Sequence, residues 1–189
     1  MLKKDIRSLY LSKRQEVSKI NILAFNKAIT NQLNNFNWIN YKTISIYLPI
    51  SNLKEINTFK ILTYFQKNHP HIKIAVPKTN FKILILEHLE YTHQTTLLEN
   101  KYQIPEPQSG NVIIPNNIDV VFVPLLAFDN LGFRVGYGKG VYDRFLASCR
   151  IDVVKIGLSF FDSINSIDDV NEFDIPLNYC ITPNKIYSF

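Results

Sequence analysis

Residues 120–146 read VVFVPLLAFDNLGFRVGYGKGVYDRFL, and this stretch decides the fold. Val120-Val121-Phe122-Val123 is an unbroken apolar run closed by Pro124, the pattern of a strand covered on both faces, as in a parallel sheet. Asp129 to Gly132 can turn the chain, and Gly136, Gly138 and Gly140 then lead into a helix expected over about 140–149. This order sets a glycine-rich backbone at a helix start, outside the carboxyl end of a buried strand, where open α/β sheets bind ligands. Glycine allows positive φ and close approach, so successive N–H groups can point at phosphate oxygens, joined by the free amides of the first helical turn. Lys139 adds a full charge and Arg134 a planar fork suited to phosphate. Asp143 differs in kind, because a carboxylate near bound phosphates is costly unless Mg2+ bridges them or it caps the helix. The spacing matches neither the dinucleotide fingerprint nor the usual P-loop. A plain tight loop, with Asp143 paired to an arginine and Tyr142 in the core, is the competing reading.

Upstream, residues 2–16 read as a helix with Leu2, Ile6, Leu9 and Val17 near one stripe. Lys3, Arg7 and Arg14 run along its flank at spacings of four and seven, so that they can converge on one anion. A second helix is expected over about 19–36, with Ser18 as cap and Ile20, Leu23, Ala24, Ala28, Ile29 and Leu33 at helical period. Thr43 to Leu48 and Ile72 to Val76 read as strands, joined through a helix over about 54–67 that Ser51 or Asn52 can precede as a cap. A connection of that length favours a parallel crossover. Phe81 to Leu89 reads as a strand or hairpin arm and 95–117 as irregular; strands return at Val153–Leu158 and Tyr179–Thr182. The expected architecture is therefore a single-domain α/β fold over 1–189, an open, mostly parallel sheet with helices on both faces.

Composition sets the outer limits. The 189 residues suit one sizeable core, and 46% apolar with 20% charged residues argues against long disorder. A formal net charge of +5 favours anionic ligands without choosing among nucleotides, metabolites and nucleic acid. No apolar run is long enough to cross a bilayer, and the charged periodic start is unlike a signal peptide, so a cytoplasmic protein is expected. Cys149 and Cys180 have neither metal-ligand nor disulfide spacing and read as buried or half-buried thiols. His69, His71, His88 and His93 are expected at the surface or in middle loops.

Taken together, Pro124, Ala127-Phe128-Asp129, Gly132, Arg134, Gly136, Gly138-Lys139-Gly140, Tyr142 and Asp143 resemble the signature of the 5-formyltetrahydrofolate cyclo-ligase family, also called methenyltetrahydrofolate synthetases. Lys3 and Arg7, Glu55-Ile56-Asn57-Thr58, Val76-Pro77-Lys78 and Ile104-Pro105-Glu106-Pro107 fit further family stretches in order. The resemblance implies a NagB/RpiA/CoA-transferase-like fold and an ATP-dependent ring closure of 5-formyltetrahydrofolate, or its polyglutamates, to 5,10-methenyltetrahydrofolate. It implies that Lys3, Arg7, Lys78, Arg134, Lys139 and the loop Gly136-Tyr137-Gly138-Lys139-Gly140 hold ATP, with Asp143 on Mg2+. Arg134, Lys139 and Tyr142 would act in transfer, and Glu55, Thr58 and Tyr142 would meet the folate. Ser163 stands where many members have Gln, and Phe173 where they commonly have His before Asp174; Phe173 offers no conventional side-chain hydrogen bond. A monomer is expected, a weak dimer being the alternative, with no membrane and no stable nucleic-acid partner. Another ATP or phosphosugar enzyme, or a nucleotide- or RNA-binding module, are the rival readings.

Overall fold

In the computed structural model, which describes residues 1–189, two helices come first, α1 (Lys3–Glu16) and α2 (Lys19–Gln32). Strand β1 (Thr43–Ile46), helix α3 (Thr58–Asn68) and strand β2 (Lys73–Asn80) follow. The middle holds β3 (Ile85–Glu90), β4 (Leu97–Glu99), β5 (Pro105–Pro107), β6 (Val112–Ile113) and β7 (Val120–Pro124). Then come β8 (Ala127–Phe128), β9 (Arg134–Val135), α4 (Val141–Ala147), β10 (Val154–Leu158), β11 (Tyr179–Ile181) and β12 (Ile186–Ser188).

Eight strands form one sheet in the order β12-β11-β10-β7-β1-β2-β3-β6. Its centre, β11 through β2, is parallel, and the antiparallel strands β12, β3 and β6 lie towards its edges. The expected parallel pairing of β1 with β2 holds, in the register Ile44 to Ile74. From β1 the chain leaves to β2 on one side and later returns to β7 on the other, so the carboxyl ends of β1 and β7 flank a topological switch point.

β7 shows why its run is apolar throughout. Val120 and Phe122 enter a cluster with Ile29, Ile61 and Phe65 from α2 and α3, while Val121 and Val123 enter another with Phe145 and Leu146 of α4. Strand alternation thus serves both faces, and each fully buried aliphatic side chain contributes about 1.5–3 kcal/mol. A third cluster seats α1 through Ile6 and Tyr10 against Leu126, Ala127 and Val135.

Several expectations shift. The buried line of α1 is Ile6, Tyr10 and Arg14, at spacings of four, with Leu2 and Leu9 turned outward, because α1 packs on the β8–β9 hairpin. In α2, Ser18 caps as expected by accepting from the Asn21 amide, but Ile20 and Leu23 are exposed, Asn26, Ile29 and Leu33 are buried, and the helix ends at Gln32 before a 3-10 turn. The helix expected from residue 54 begins at Thr58: residues 51–53 form a 3-10 turn, Lys54 sits at φ 48, and the Asn57 side chain caps α3. Glu55 consequently lies in a connection, not on a helix. The segment expected to be irregular contains the small β4–β5 pair as well as β6. The helix after the glycines is only seven residues, short of the expected 140–149. Cys149 is half-buried and Cys180 buried, as expected for plain thiols.

His88 corrects its surface assignment. It is 2% exposed on β3, stacked on Phe145 with ring centroids 4.2 Å apart, and neither ring nitrogen has a partner. Burial pushes its pKa down to about 3. A folded-state value below the unfolded value near 6.5 means that the unfolded chain takes up a proton first, so stability falls as pH drops from about 6.5 towards 3, by up to about 1.4 kcal/mol per pH unit. His88→Leu should flatten that part of the stability profile, measured as denaturant midpoints between pH 7.5 and pH 5; an unchanged slope would exclude His88 as its source.

Candidate active site

A cleft of about 530 Å³ opens at the carboxyl ends of β1, β2 and β7, where Leu48, Pro77 and Pro124 form part of its wall. Two kinds of chemistry meet in it, with cations and free amides at one end and a buried carboxylate with aromatic rings at the other.

The cationic end is built by α1 and the glycine loop. Lys3 pairs with Asp174, a contact that spans nearly the whole sequence. One turn on, Arg7 donates from Nε to the Gly136 carbonyl at 2.9 Å, and neither of its terminal nitrogens has a partner in the chain. Gly138 has φ +90, a conformation that favours glycine, and a Cβ there would stand 3.1 Å from the Arg7 Cζ and press the guanidinium aside by a few tenths of an ångström. Gly140, at φ +61, is the cap position of α4. The amides of Gly138, Lys139 and Gly140 donate no hydrogen bond within the chain. Unpaired amides beside a cation make an anion-binding concavity.

Arg134 forms the floor. Its side chain is 5% exposed and donates from Nη2 to Asp143 Oδ1 at 2.8 Å and from Nη1 to the Ile175 carbonyl. Burial lowers its pKa, and Asp143 and Asp174 work against that, so it stays a cation. Asp143 Oδ1 also accepts from the Ile175 amide at 3.3 Å, and nothing in the chain donates to Oδ2. One carboxylate in the cleft lining with an oxygen free fits Mg2+, which takes one or two carboxylates and completes its shell with phosphate and water. No cluster of three or more acidic, His or Cys side chains supplies a full metal cage.

At the other end Glu55 is 8% exposed. Its Oε2 accepts from the Ile50 amide at 2.7 Å and its Oε1 from the Tyr137 hydroxyl. Burial raises its pKa, opposed by the Tyr137 and Ile50 hydrogen bonds and by the charge of Arg14. Tyr142 lines the cleft close by, and burial together with Glu55 holds its phenol neutral. Phe81 and Tyr102 line the cleft as well, with centroids 4.3 Å apart, and Lys139 Nζ lies 5.2 and 5.0 Å from the two rings.

Of the residues singled out from the sequence, Lys3, Arg7, Glu55, Arg134, Tyr142, Asp143 and the whole loop Gly136–Gly140 line this one cleft. Thr58 and Lys78 do not, and neither does Arg14, which is buried against the Tyr137 hydroxyl and so does not converge with Lys3 and Arg7 on one anion. Thr58 is fully buried with its hydroxyl donating to the Tyr47 carbonyl at 2.6 Å, where it fixes the chain after β1. Lys78 stands on β2 between Pro77 and Thr79, both of which line the cleft, so strand alternation turns it to the other face. Asp174, Phe81 and Tyr102 are wall residues that the sequence did not assign. The two aromatics stand in polar surroundings, Asn80-Phe81-Lys82 and Lys101-Tyr102-Gln103, and that is the signal that could have marked them. Ser163 donates to Asn130 Oδ1 outside the cleft wall, and Phe173 is 75% exposed beside Asp174.

Known proteins resemble this chain in sequence and in fold. The chain is 28% identical over 182 residues to a Mycoplasma genitalium 5-formyltetrahydrofolate cyclo-ligase, covering 94% of this chain and 97% of the relative. The solved 5,10-methenyltetrahydrofolate synthetase of Aquifex aeolicus superposes with a TM-score of 0.82 at 24% identity, over 100% of this chain and 93% of that one. The synthetase from Mycoplasma pneumoniae does so with a TM-score of 0.73 at 25% identity, over 97% and 99%. The model of the 5-formyltetrahydrofolate cyclo-ligase family matches residues 1–183, a span that takes in α1, the glycine loop and Asp174, and the chain belongs to that family.

Proposed function

We propose that residues 1–189 work as one catalytic unit, coupling ATP hydrolysis to the cyclisation of 5-formyltetrahydrofolate to 5,10-methenyltetrahydrofolate, ADP and phosphate. The observation that carries this reading is the meeting, in one 530 Å³ cleft, of a cationic cradle with free amides and a buried carboxylate beside aromatic rings. One half suits a triphosphate, the other a pterin with an aromatic tail.

A formyl group on nitrogen is a weak electrophile with a poor leaving oxygen. In the proposed reaction that oxygen attacks the γ-phosphorus and the bond to ADP breaks. N10 of the same molecule then attacks the formyl carbon, the carbon–oxygen bond breaks, phosphate leaves and the N10 proton is lost. Positioning supplies much of the rate, because the nucleophile is already tethered. Lys3, Arg7, Lys139 and the Gly138–Gly140 amides would hold the phosphates, and Arg134 would meet the charge that develops in transfer. Glu55 would accept hydrogen bonds from the polar edge of the pterin, and Tyr142, kept neutral, would orient the formyl group. Mg2+, held by Asp143, would neutralise phosphate oxygens when bound.

The lip beside Tyr102, whose ring lies 5.1 Å from Lys101 Nζ, suits the acidic tail of the folate, including polyglutamates. No second copy is needed to complete these contacts, in keeping with a monomer. No helix is long and apolar enough to cross a membrane.

The direct test mixes the protein, MgATP and 5-formyltetrahydrofolate and follows methenyl product, omitting each component in turn. Turnover that needs all three is expected; a folded protein that binds nucleotide yet yields no product would end this reading. Asp143→Asn keeps the hydrogen bonds to Arg134 and Ile175 within reach but removes the charge, so half-saturation by Mg2+ should move up about tenfold, the usual cost of impairing a metal-binding group. An unchanged Mg2+ titration would remove Asp143 from the metal site.

A further inference from the structure

Behind the carboxylate end of the cleft lies an ordered chain of polar contacts that the reaction as written does not use. Arg14, third in the series with Lys3 and Arg7 on α1, is 6% exposed, and its Nη2 donates to the Tyr137 hydroxyl at 2.6 Å. Tyr137 in turn donates to Glu55 Oε1. The direction is fixed, since a guanidinium has no acceptor and the hydroxyl must pass its own proton towards the carboxylate. Tyr137 sits between Gly136, whose carbonyl binds Arg7, and Gly138, against which the same guanidinium packs. The loop that would cradle phosphate therefore carries the one side chain that grips Glu55 from within.

The contacts are poorly arranged for stability alone. Arg14 Nε is buried without a partner, the bond from Nη1 to the Leu125 carbonyl is long at 3.4 Å, and a void of about 10 Å³ adjoins the guanidinium. A buried cation with an unsatisfied donor is costly, and apolar packing of similar volume is often as stable or more so. What Arg14 does have is a defined position with respect to Tyr137 and Glu55.

We propose that Arg14 and Tyr137 are positioning residues, a hydrogen-bonded relay that fixes the Glu55 carboxylate for the folate and ties its placement to the glycine loop. This rests on the reading of Glu55 as a pterin contact. Tyr137→Phe removes one oxygen and leaves the ring in place. The expected result is a rise of about tenfold in the KM for 5-formyltetrahydrofolate, the scale of a hydrogen bond to a charged group, with the KM for ATP changed less than about twofold. The pH profile gives a readout that mere loosening would not. Glu55 is faced by Tyr137 from the loop, Arg14 from α1, Tyr47 after β1 and Tyr142 from α4. The Tyr137 hydroxyl is one of the contacts that hold its pKa down against burial, so without it the acid limb of kcat/KM for the folate should move to higher pH.

The same substitution is then made in a Glu55→Gln background, where a relay that acts through Glu55 should add no more than about twofold. A Tyr137→Phe enzyme with unchanged folate KM overturns the relay, as does a full additional loss in the Glu55→Gln background. If Glu55→Gln alone is silent while Tyr137→Phe is not, the relay fails because its effect does not pass through Glu55. If Tyr137→Phe is silent while Glu55→Gln is severe, the pterin contact stands and only the relay is lost. Should Tyr137→Phe not fold, Arg14→Lys, which keeps the charge and loses the fork, is read by the same folate KM, pH profile and double variant.

Discussion

Lys139→Ala is expected to lower kcat about 100-fold or more while leaving the fold nearly untouched, because one preorganised charge on a transferring group is worth roughly 10²–10³ in rate. Lys139 is exposed, and its ammonium, without a hydrogen bond or ion pair, lies over the faces of Phe81 and Tyr102 near 5 Å. Contacts of that kind at an exposed site contribute about 0.5–1 kcal/mol, so the melting temperature should fall by no more than about 4 °C. Kinetics and a thermal melt on one preparation separate the two effects. Unchanged turnover and ATP affinity would remove Lys139 from the site. Because its ammonium rests on the rings assigned to the folate side, Phe81→Ala should also alter ATP kinetics, and Lys139→Ala should weaken folate binding less than it slows turnover.

How much of the fold and of the cleft is legible in the sequence depends on what a local pattern can encode. β7 was legible because burial on both faces removes polar residues altogether, and the glycine loop because Gly138 and Gly140 need positive φ that few other residues tolerate. The cations of α1 were legible as a series at spacings of four and seven, though its apolar stripe was not: the hairpin it packs on selects Ile6 and Tyr10 over Leu2 and Leu9, and that choice is tertiary. The length of α3 was misread for a similar reason, since the Asn57 cap and the left-handed Lys54 free Glu55 to point inward from a connection. Long-range pairs left no local trace. Lys3 meets Asp174 across 171 positions, and the Tyr137 hydroxyl meets Glu55 across 82. Thr58 shows the converse, a residue whose place in a motif drew attention but whose hydroxyl serves the backbone of Tyr47.

The residue with the most to lose is Arg134, which carries a structural and a catalytic task in one guanidinium. Arg134→Met keeps much of the volume but deletes the bonds to Asp143 and the Ile175 carbonyl and leaves Asp143 as uncompensated negative charge on the cleft wall, Asp174 keeping its pair with Lys3. Breaking a fully buried pair costs about 3–5 kcal/mol; with the Asp143 side chain 28% exposed, water offsets part of this, and a loss of roughly 2–3 kcal/mol, or about 4–12 °C in melting temperature, is expected. Turnover should fall at least about 10³-fold, because the lost cation would meet the transferring phosphoryl group and the unpaired Asp143 carboxylate would now repel it. The double variant Arg134→Met with Asp143→Asn tells the two tasks apart. Removing the stranded carboxylate should return most of the lost stability, since the penalty lies in the unpaired charge, yet it cannot restore a cation to the floor of the cleft, and turnover should stay low. Recovery of turnover along with stability would mean that Arg134 only neutralises Asp143, and the electrostatic role given to it in phosphoryl transfer would have to be abandoned.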